Sequence, residues 1–369
     1  MAQSKAADRD EADKRYMRMA LGLALQGAGR TSPNPLVGAV LVRGGKIVGT
    51  GYHRRAGGDH AEIVALKRAG KKARGATLYI NLEPCSHYGR TPPCTLSVIQ
   101  SGVKTVVAGM ADPNPLVSGL GIRALRKAGI QVRLGVLGEE SRRLNEAFTK
   151  YITRRVPFVI VKLAASLDGK IAAATGHSRW ITGPEARRRV HQMRNHVDAV
   201  LVGVGTIVAD NPQLTCRIPG GRNPIRIVLD SALRIPLSAR VLRERGKTIV
   251  AAGTRVPIRK VRAIEKLGAE VWRLPTRDGG VPFASVLRAM GKREMVSVMV
   301  EGGAETAGRA LSEKVVDKVC FFYAPKIIGG DGLDMIAPIG VKWMSRSLRI
   351  DNLAVEKVGQ DLLVTGYLD

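Results

Sequence analysis

His60-Ala61-Glu62, which opens HAEIVALKRAGKKA (residues 60–73), and the later LEPCSHYGRTPPC (residues 82–94) decide how the first half of the chain is read. The apolar residues of the first stretch recur at helical spacing, so His60 and Glu62 stand at a helix start. ATLYINLEP (76–84) reads as a strand that stops at Pro84, which puts Cys85 just past a strand end and near a helix N-terminus, where a thiolate is favoured. His60, Cys85 and Cys94 are three ligands of the kinds zinc prefers, and they leave its fourth tetrahedral position open. Such a site lowers the pKa of bound water from 15.7 to about 7. Glu62 faces the same site without being needed as a ligand and suits a proton carrier. A His-x-Glu followed by Pro-Cys pairs is the zinc-deaminase pattern, in which hydroxide attacks an amino-bearing ring carbon. Here eight residues separate the two cysteines where the usual spacer has two, which points away from a general nucleoside deaminase. Two other readings stay open: a structural zinc site, with His87 in the spacer as fourth ligand, or a core histidine beside two buried thiols. His87 is read here as lining the substrate pocket.

Outward from this stretch, residues 16–25 carry a helical period. After Gly27, Gly29, Pro33 and Pro35, LVGAVLVRGGKIVGTGYH (36–53) alternates around Gly44-Gly45 as a hairpin. TLSVIQSG, KTVVAG, GIRALRKAG and IQVRLGVL continue a helix and strand alternation, giving an α/β layer domain. The polar stretch EESRRLNEAFTKYITRRVP leads to Pro157, so the boundary is placed near residues 146–156, with domains over 1–150 and 151–369. Beyond it FVIVKLAAS, DAVLVGVGT, PIRIVLDS, TIVAAG, EVWRLP and MVSVMVEGG read as strands. PEARRRVHQMRNH, RKVRAIEKLGA and FASVLRAMGK read as helices, and RIPGGRNP as a loop. Continuously apolar strands predict a sheet covered on both faces.

The 369 residues suit two or three domains. With 45% hydrophobic and 24% charged residues the composition is that of a globular protein, which excludes disordered, fibrous and coiled-coil classes. No apolar run reaches the roughly 20 residues of a membrane span, and the first 26 residues lack a signal-peptide core, so a cytoplasmic protein without a membrane partner is expected. The four cysteines are too few for a disulfide framework, and Cys216 and Cys320 are read as packed residues without a role. Fifty-nine Lys and Arg against 31 Asp and Glu leave a charge of +28, which attracts anions. The basic residues are scattered and aromatics make up only 4%, which favours phosphorylated metabolites over nucleic acid.

TSPNPLVGAV, GYH, HAEIVAL, LEPCSHYGRTPPC and ADPNPLVSGLGI in the first half, with KLAASLDGKIA, SRWITGPEAR, GVGTIVADNPQLTCR, LDS and VEGGAETAGRAL in the second, resemble the bifunctional riboflavin-biosynthesis deaminase/reductase family along nearly the whole chain. The resemblance implies a cytidine-deaminase-like three-layer domain followed by a dihydrofolate-reductase-like domain. It implies Zn2+ on His60, Cys85 and Cys94, with Glu62 catalytic. Asn34 and His53 would hold the pyrimidine or its ribose phosphate, although Asn34 between two prolines also suits a plain turn. In the second domain it implies NADPH contacts at Ala164, Trp180, Thr206, Asp210, Ser231 and the loop Gly303, Ala304, Glu305, Thr306, Ala307, Gly308 and Arg309. Substrate contacts would fall at Ser178, Arg194, Leu214, Arg217 and Glu301. The residues carry part of this themselves: a strand feeding Gly302-Gly303 into a helix suits a dinucleotide pyrophosphate, although it also suits a tight turn. Arg194 and Arg217 have forked donors for a phosphate or ring edge, or are two more solvated arginines. Trp180 suits a nicotinamide face or a core, and Lys162 is expected in the reductase cleft.

The resemblance further implies two consecutive reactions: hydrolytic deamination of 2,5-diamino-6-ribosylamino-4(3H)-pyrimidinone 5′-phosphate, then reduction of the ribosyl group to ribityl by NADPH. The partners expected are this phosphorylated pyrimidine and further copies of the chain, as a dimer or tetramer, without nucleic acid. The rival expectation is a nucleic-acid or nucleotide deaminase with a non-reducing basic C-terminal domain, which would bind RNA or DNA in a salt-dependent way. A second rival is a nucleic-acid-binding protein with structural zinc.

Overall fold

LVGAVLVRGGKIVGTGYH folds as an antiparallel hairpin of β1 (Gly38–Arg43) and β2 (Lys46–Tyr52), turned at Gly44 and Gly45, both at positive φ. The computed structural model to which it belongs describes residues 2–86, 93–115 and 117–368, with side chains from residue 7 onward. Strand β1 pairs antiparallel with β3 (Thr77–Leu82). Strands β4 (Thr105–Met110) and β5 (Gln131–Leu134) continue the sheet in parallel, in the order β2-β1-β3-β4-β5. Helices α2 (Ala61–Ala69), α3 (Cys94–Gln100) and α4 (Leu120–Lys127) cover one face over Leu41, Leu78, Ile80, Val106 and Leu125. Helices α1 (Ala2–Leu25) and α5 (Gly138–Leu144) cover the other over Met17, Val40, Tyr79 and Val107.

Helix α1 extends far upstream of the period at 16–25. The polar composition of its first half hides its buried side, where the Asp13 carboxylate accepts from the Tyr79 hydroxyl and Arg133, both at 2.8 Å. Gly38 lets α1 settle on the sheet, since a Cβ there would lie 2.0 Å from the Ala20 carbonyl oxygen. The amphipathic stretch at the end of this unit is two helices. Asn145 separates α5 from α6 (Glu146–Arg154), its side chain accepting from Leu36 N–H at 2.8 Å and donating to Leu36 C=O at 3.0 Å.

The chain divides into two compact units, Met1–Arg155 and Val156–Asp369. Residue 150 falls inside α6, which belongs wholly to the first unit and is closed by Arg155 in the left-handed region.

The second unit alternates β6 (Phe158–Ser166), β7 (Lys170–Ala172), α7 (Pro184–His196), β8 (Ala199–Gly203), α8 (Val204–Asp210), β9 (Ile225–Leu229), α9 (Arg240–Arg243), β10 (Thr248–Gly253), α10 (Ile258–Lys266), β11 (Glu270–Leu274), α11 (Phe283–Gly291), β12 (Ser297–Glu301) and α12 (Ala304–Ser312). It closes with β13 (Lys318–Ala324), β14 (Leu333–Asp334), β15 (Asp351–Val358) and β16 (Asp361–Tyr367). The nine-stranded sheet runs β11-β10-β9-β8-β12-β6-β13-β16-β15, parallel up to β13 and antiparallel at its last two strands. Apolar cores lie on both faces, as the uninterrupted apolar strands require.

The stretch DAVLVGVGT ends as a strand at Gly203 and continues as α8. A Cβ at Gly203 would sit 2.4 Å from Thr306 Oγ1, so the glycine allows the strand end and the first turn of α12 to meet. Every residue from 340 to 357 is exposed, and this run carries large apolar side chains such as Trp343 and Met344, 73% and 86% exposed, and Leu353 and Val355 on edge strand β15.

Two candidate active sites

The first site is assembled by three chain segments. His60 is the residue before α2, in extended conformation, Cys85 lies three residues past β3, and Cys94 opens α3. His60 Nδ1 is 3.1 Å from Cys94 Sγ and 3.7 Å from Cys85 Sγ, and the three donor atoms lie within 4.8 Å of one another. Tetrahedral zinc with ordinary Zn–N and Zn–S lengths requires N···S separations of about 3.6 Å, so the donor set fits this ion. The Cys94 backbone N–H donates to Cys85 Sγ at 3.3 Å. Hydrogen bonding from the Cys94 thiol, aided by His60 and this N–H, draws Cys85 down to about 4, while Cys94, sharing the proton and buried, is pushed up. One thiolate thus forms readily even without a metal.

Glu62 lies in the first turn of α2, 3% exposed, and burial pushes its carboxyl up to about 7. Its Oε2 has no hydrogen-bond partner among the described residues, which is unusual for a buried oxygen and leaves it available to a ligand. His53 meets His60 edge-on, with ring centroids 5.3 Å apart. Its Nδ1 lies 3.1 Å from the Asp59 carbonyl oxygen and its Nε2 3.0 Å from the Asn34 amide nitrogen. This arrangement makes Nδ1 the donor and Nε2 the acceptor, and burial draws the ring's pKa below its ordinary value. Asn34 is therefore more than a turn residue, being hydrogen-bonded to the histidine that flanks the donor cluster. His87 lies outside the described residues.

Sequence reasoning missed the residues that hold these loops. The Asn81 side chain accepts from Gly38 N–H at 2.8 Å and donates to Leu36 C=O at 2.9 Å, and with Asn145 it pins the loop that carries Asn34. The buried Glu83 carboxylate accepts from the backbone N–H groups of Asp112, Gly119 and Ile122 at 2.9–3.0 Å, which ties β4's outgoing chain to the start of α4. An acid and an amide at the end of an apolar strand were the available signal.

The second site is a cavity of about 1510 Å³ across the carboxyl ends of β6, β12, β8 and β9. Ala164, Ser178, Trp180, Arg194, Thr206, Asp210, Leu214, Arg217, Ser231 and Glu301 line it, together with Gly303, Ala304, Glu305, Thr306 and Arg309. Lys162 lines it too. Ala307 and Gly308 do not. Gly303 is the extended residue before α12, residues 304–309 lie in the helix that the two glycines were expected to feed, and at helical pitch Ala307 and Gly308 turn into the core, where a Cβ on Gly308 would meet the Ala337 carbonyl oxygen at 2.8 Å.

At one end of the cleft Arg194 grips Glu301 through two parallel bonds, Nε to Oε1 at 2.6 Å and Nη2 to Oε2 at 2.9 Å, and donates a third to Thr215 C=O. Its fork is thereby committed to the protein, not left for a phosphate. Lys162 Nζ lies 3.6 Å from Glu301 Oε2. Burial alone would raise the Glu301 carboxyl, but Arg194 and Lys162 outweigh it and hold the group at about 2, while burial lowers Lys162. Trp180 is 64% exposed, so it is no core residue, and the Arg187 guanidinium stacks 4.6 Å from its ring centroid. His191, also missed in the sequence, lines the cleft and accepts from Arg217 N–H at 3.2 Å. Burial, with Arg194 and Arg217 nearby, lowers it to about 4.

At the centre, Gly303 N–H donates to Thr206 Oγ1 at 3.1 Å and Thr306 N–H turns back to Gly303 C=O at 3.1 Å, while Ala304 and Glu305, the first two residues of α12, line the cavity. Cys216 donates to the His191 carbonyl oxygen and Cys320 is packed in β13, so both are structural.

Comparison with known proteins finds the same two-part division. Residues 10–110 match the family model of the cytidine and deoxycytidylate deaminase zinc-binding region, and residues 157–364 match that of the RibD C-terminal domain. The chain is 47% identical over 356 residues to the riboflavin biosynthesis protein RibD of Aquifex aeolicus, covering 96% of this chain and 98% of that protein. To RibD of Escherichia coli it is 39% identical over 363 residues, with coverage of 95% and 98%. Among solved structures, Acinetobacter baumannii RibD superposes with a TM-score of 0.88 at 35% identity, over 98% of this chain and 99% of that one. The diaminohydroxyphosphoribosylaminopyrimidine deaminase/5-amino-6-(5-phosphoribosylamino)uracil reductase of Thermotoga maritima gives 0.85 at 41% identity, over 98% and 100%.

Proposed function

The chain belongs to the RibD family of riboflavin biosynthesis proteins, as a bifunctional deaminase and reductase, and from that premise we propose the substrates, cofactors and residue roles of its two steps. The first unit hydrolyses the amino group of 2,5-diamino-6-ribosylamino-4(3H)-pyrimidinone 5′-phosphate. The second reduces the deaminated ribosyl compound to its ribityl form with NADPH. The observation that carries the first step is the His60, Cys85 and Cys94 donor cluster beside the bare buried oxygen of Glu62.

In the deaminase site His60, Cys85 and Cys94 hold the zinc. When bound, the ion supplies a Lewis acid that makes water nucleophilic at neutral pH. Glu62 takes a proton from the attacking water and delivers it to the departing amine, so a carbon–oxygen bond forms, the carbon–nitrogen bond breaks and ammonia leaves. Asn34 and His53 orient the pyrimidine, each fixed by its bond to the other.

In the reductase site the first turn of α12 receives the dinucleotide pyrophosphate, Ser231 and Thr206 lie beside it, and Trp180 flanks the nicotinamide. When bound, NADPH would supply hydride for reduction of the opened sugar. The protein orients the reacting carbon and surrounds it with charge. Glu301, ionised between Arg194 and Lys162, holds the Lys162 ammonium as a buried donor at the reacting end. Arg217 and Ser178 take the substrate's polar edge and phosphate. The charge of +28 suits both anionic ligands.

Incubating the protein with the diaminopyrimidine ribosyl phosphate should give deaminated product without cofactor, and deaminated and reduced product with NADPH, as followed by mass. Removing zinc with a chelator is expected to stop ammonia release while leaving reduction of the separately supplied deaminated intermediate intact. Unchanged deamination by metal-free protein would refute the metal role, and absence of any mass change by folded, zinc-loaded protein would refute both steps.

We also propose a homo-oligomer in a reducing cytoplasm, in keeping with four free thiols. Among the described residues no helix is long and apolar enough to cross a membrane. The exposed run around β15 carries Val341, Trp343, Met344, Leu348, Ile350, Leu353 and Val355, all large apolar side chains of the kind an interface covers. Asp351 and Lys357 stand at opposite ends of β15, so pairing with a second copy about a two-fold axis would set unlike charges against each other. Light scattering that finds only monomer at micromolar concentration would exclude this assembly.

A further inference from the structure

We propose that Arg234 reads the 2′-phosphate of the dinucleotide and so sets a preference for NADPH over NADH; this rests on the dinucleotide reading of the second cleft. The buried Lys162 and Glu301 mark the reacting end of that cleft, and α12 opens at its centre. The far end, past the carboxyl terminus of β9, is lined by Ser231, Arg234, Arg277 and Arg309 and remains for the adenosine half.

In Rossmann-type dinucleotide sites a carboxylate facing the cleft reads the ribose hydroxyls of NADH, whereas an arginine accommodates the added phosphate, and the same chemistry applies to any ribose bound at the end of a parallel strand. The acid in that place is Asp230, directly after β9, and its carboxylate is spent. It is 1% exposed and accepts from the backbone N–H groups of Arg234 at 2.8 Å and Ile235 at 2.7 Å. Asp230 therefore shapes the turn that carries Arg234 to the rim and offers nothing to a ribose.

The other arginines at this end are held differently. Arg309 folds back to donate to Val281 C=O at 2.9 Å and lies 3.4 Å from Glu313, and Glu313 also accepts from Phe283 N–H. Arg277 is ion-paired, among the described residues, only with its sequence neighbour Asp278, at 3.5 Å with the two side chains 85% and 91% exposed, so nothing fixes its guanidinium at the cleft. Among the described residues of this end Arg234 is the guanidinium without an acidic or carbonyl partner, and its forked donors match a phosphomonoester.

The test is equilibrium binding at constant ionic strength, titrating NADPH, NADH, adenosine 2′,5′-bisphosphate and 5′-AMP into the zinc-loaded protein and its Arg234→Ala, Arg234→Lys and Arg259→Ala variants. Arg259, exposed on α10, lies outside the cleft lining and controls for general charge. The wild type should favour each 2′-phosphorylated ligand over its partner. Arg234→Ala should weaken those two by about ten- to a hundredfold, with NADH and 5′-AMP unchanged. Arg234→Lys should recover part of the loss, and Arg259→Ala should cost nothing. Equal weakening of NADPH and NADH in Arg234→Ala, an unchanged ratio, or an equal loss in Arg259→Ala would overturn the proposal. A wild type that binds both dinucleotides equally would overturn it alone, and one that binds neither would remove the dinucleotide reading as well.

Discussion

Glu62→Gln is expected to lower deaminase turnover by about 10²- to 10⁴-fold, the range over which a positioned acid–base group acts, with zinc content and the reductase reaction retained. Glutamine keeps the size of the side chain and one carbonyl oxygen but cannot take up a proton. The site is buried, so a neutral amide there costs no charge desolvation, and the variant should fold at least as well as the parent. Ammonia release, metal content and reduction of the deaminated intermediate, measured on one preparation, separate the possibilities. Turnover close to that of the parent would make Glu62 a packing residue, and loss of zinc would make it part of the metal's support.

For Glu301→Ala the larger effect falls on the second unit. Arg194 and Lys162 have side chains only 12% and 14% exposed, and they share this one carboxylate. Truncation leaves two buried cations facing each other, a change that costs about 3–5 kcal/mol when one partner of a buried pair is removed. The three tryptophans, Trp180, Trp272 and Trp343, all lie beyond residue 156, so denaturant unfolding followed by tryptophan fluorescence reports this unit alone. Its midpoint should fall and reductase activity should vanish while deamination continues. A midpoint equal to the parent's would show that water already shields the two cations.

How much was legible beforehand follows from how local each signal is. The strands FVIVKLAAS and TIVAAG and the helix PEARRRVHQMRNH coincide with β6, β10 and α7 because apolar runs and a proline at a helix start act within a few residues. His60, Glu62, Cys85 and Cys94 stood out because metal chemistry restricts residue type and spacing together. Asn81, Glu83 and Asn145 did not, since each satisfies backbone groups brought near only by folding, up to 109 positions away along the chain. The Arg194–Glu301 pair was visible as two candidate substrate contacts, but their bond to each other, across 107 positions, was not. Ala307 and Gly308 were placed in the cofactor site as part of a continuous run, whereas a helix presents only part of its circumference to any ligand.

The exposed apolar run from Val341 to Val355 gives the proposed assembly an expected dependence on ionic strength. Copies that each carry +28 repel one another at long range, and dissolved ions screen that repulsion while leaving apolar contact untouched. If copies assemble through the β15 face as proposed, added salt should favour that assembly, whereas it would weaken any binding of this basic chain to nucleic acid. Opposite responses to one reagent thus distinguish a protein that gathers with its own kind from one that clings to a polyanion.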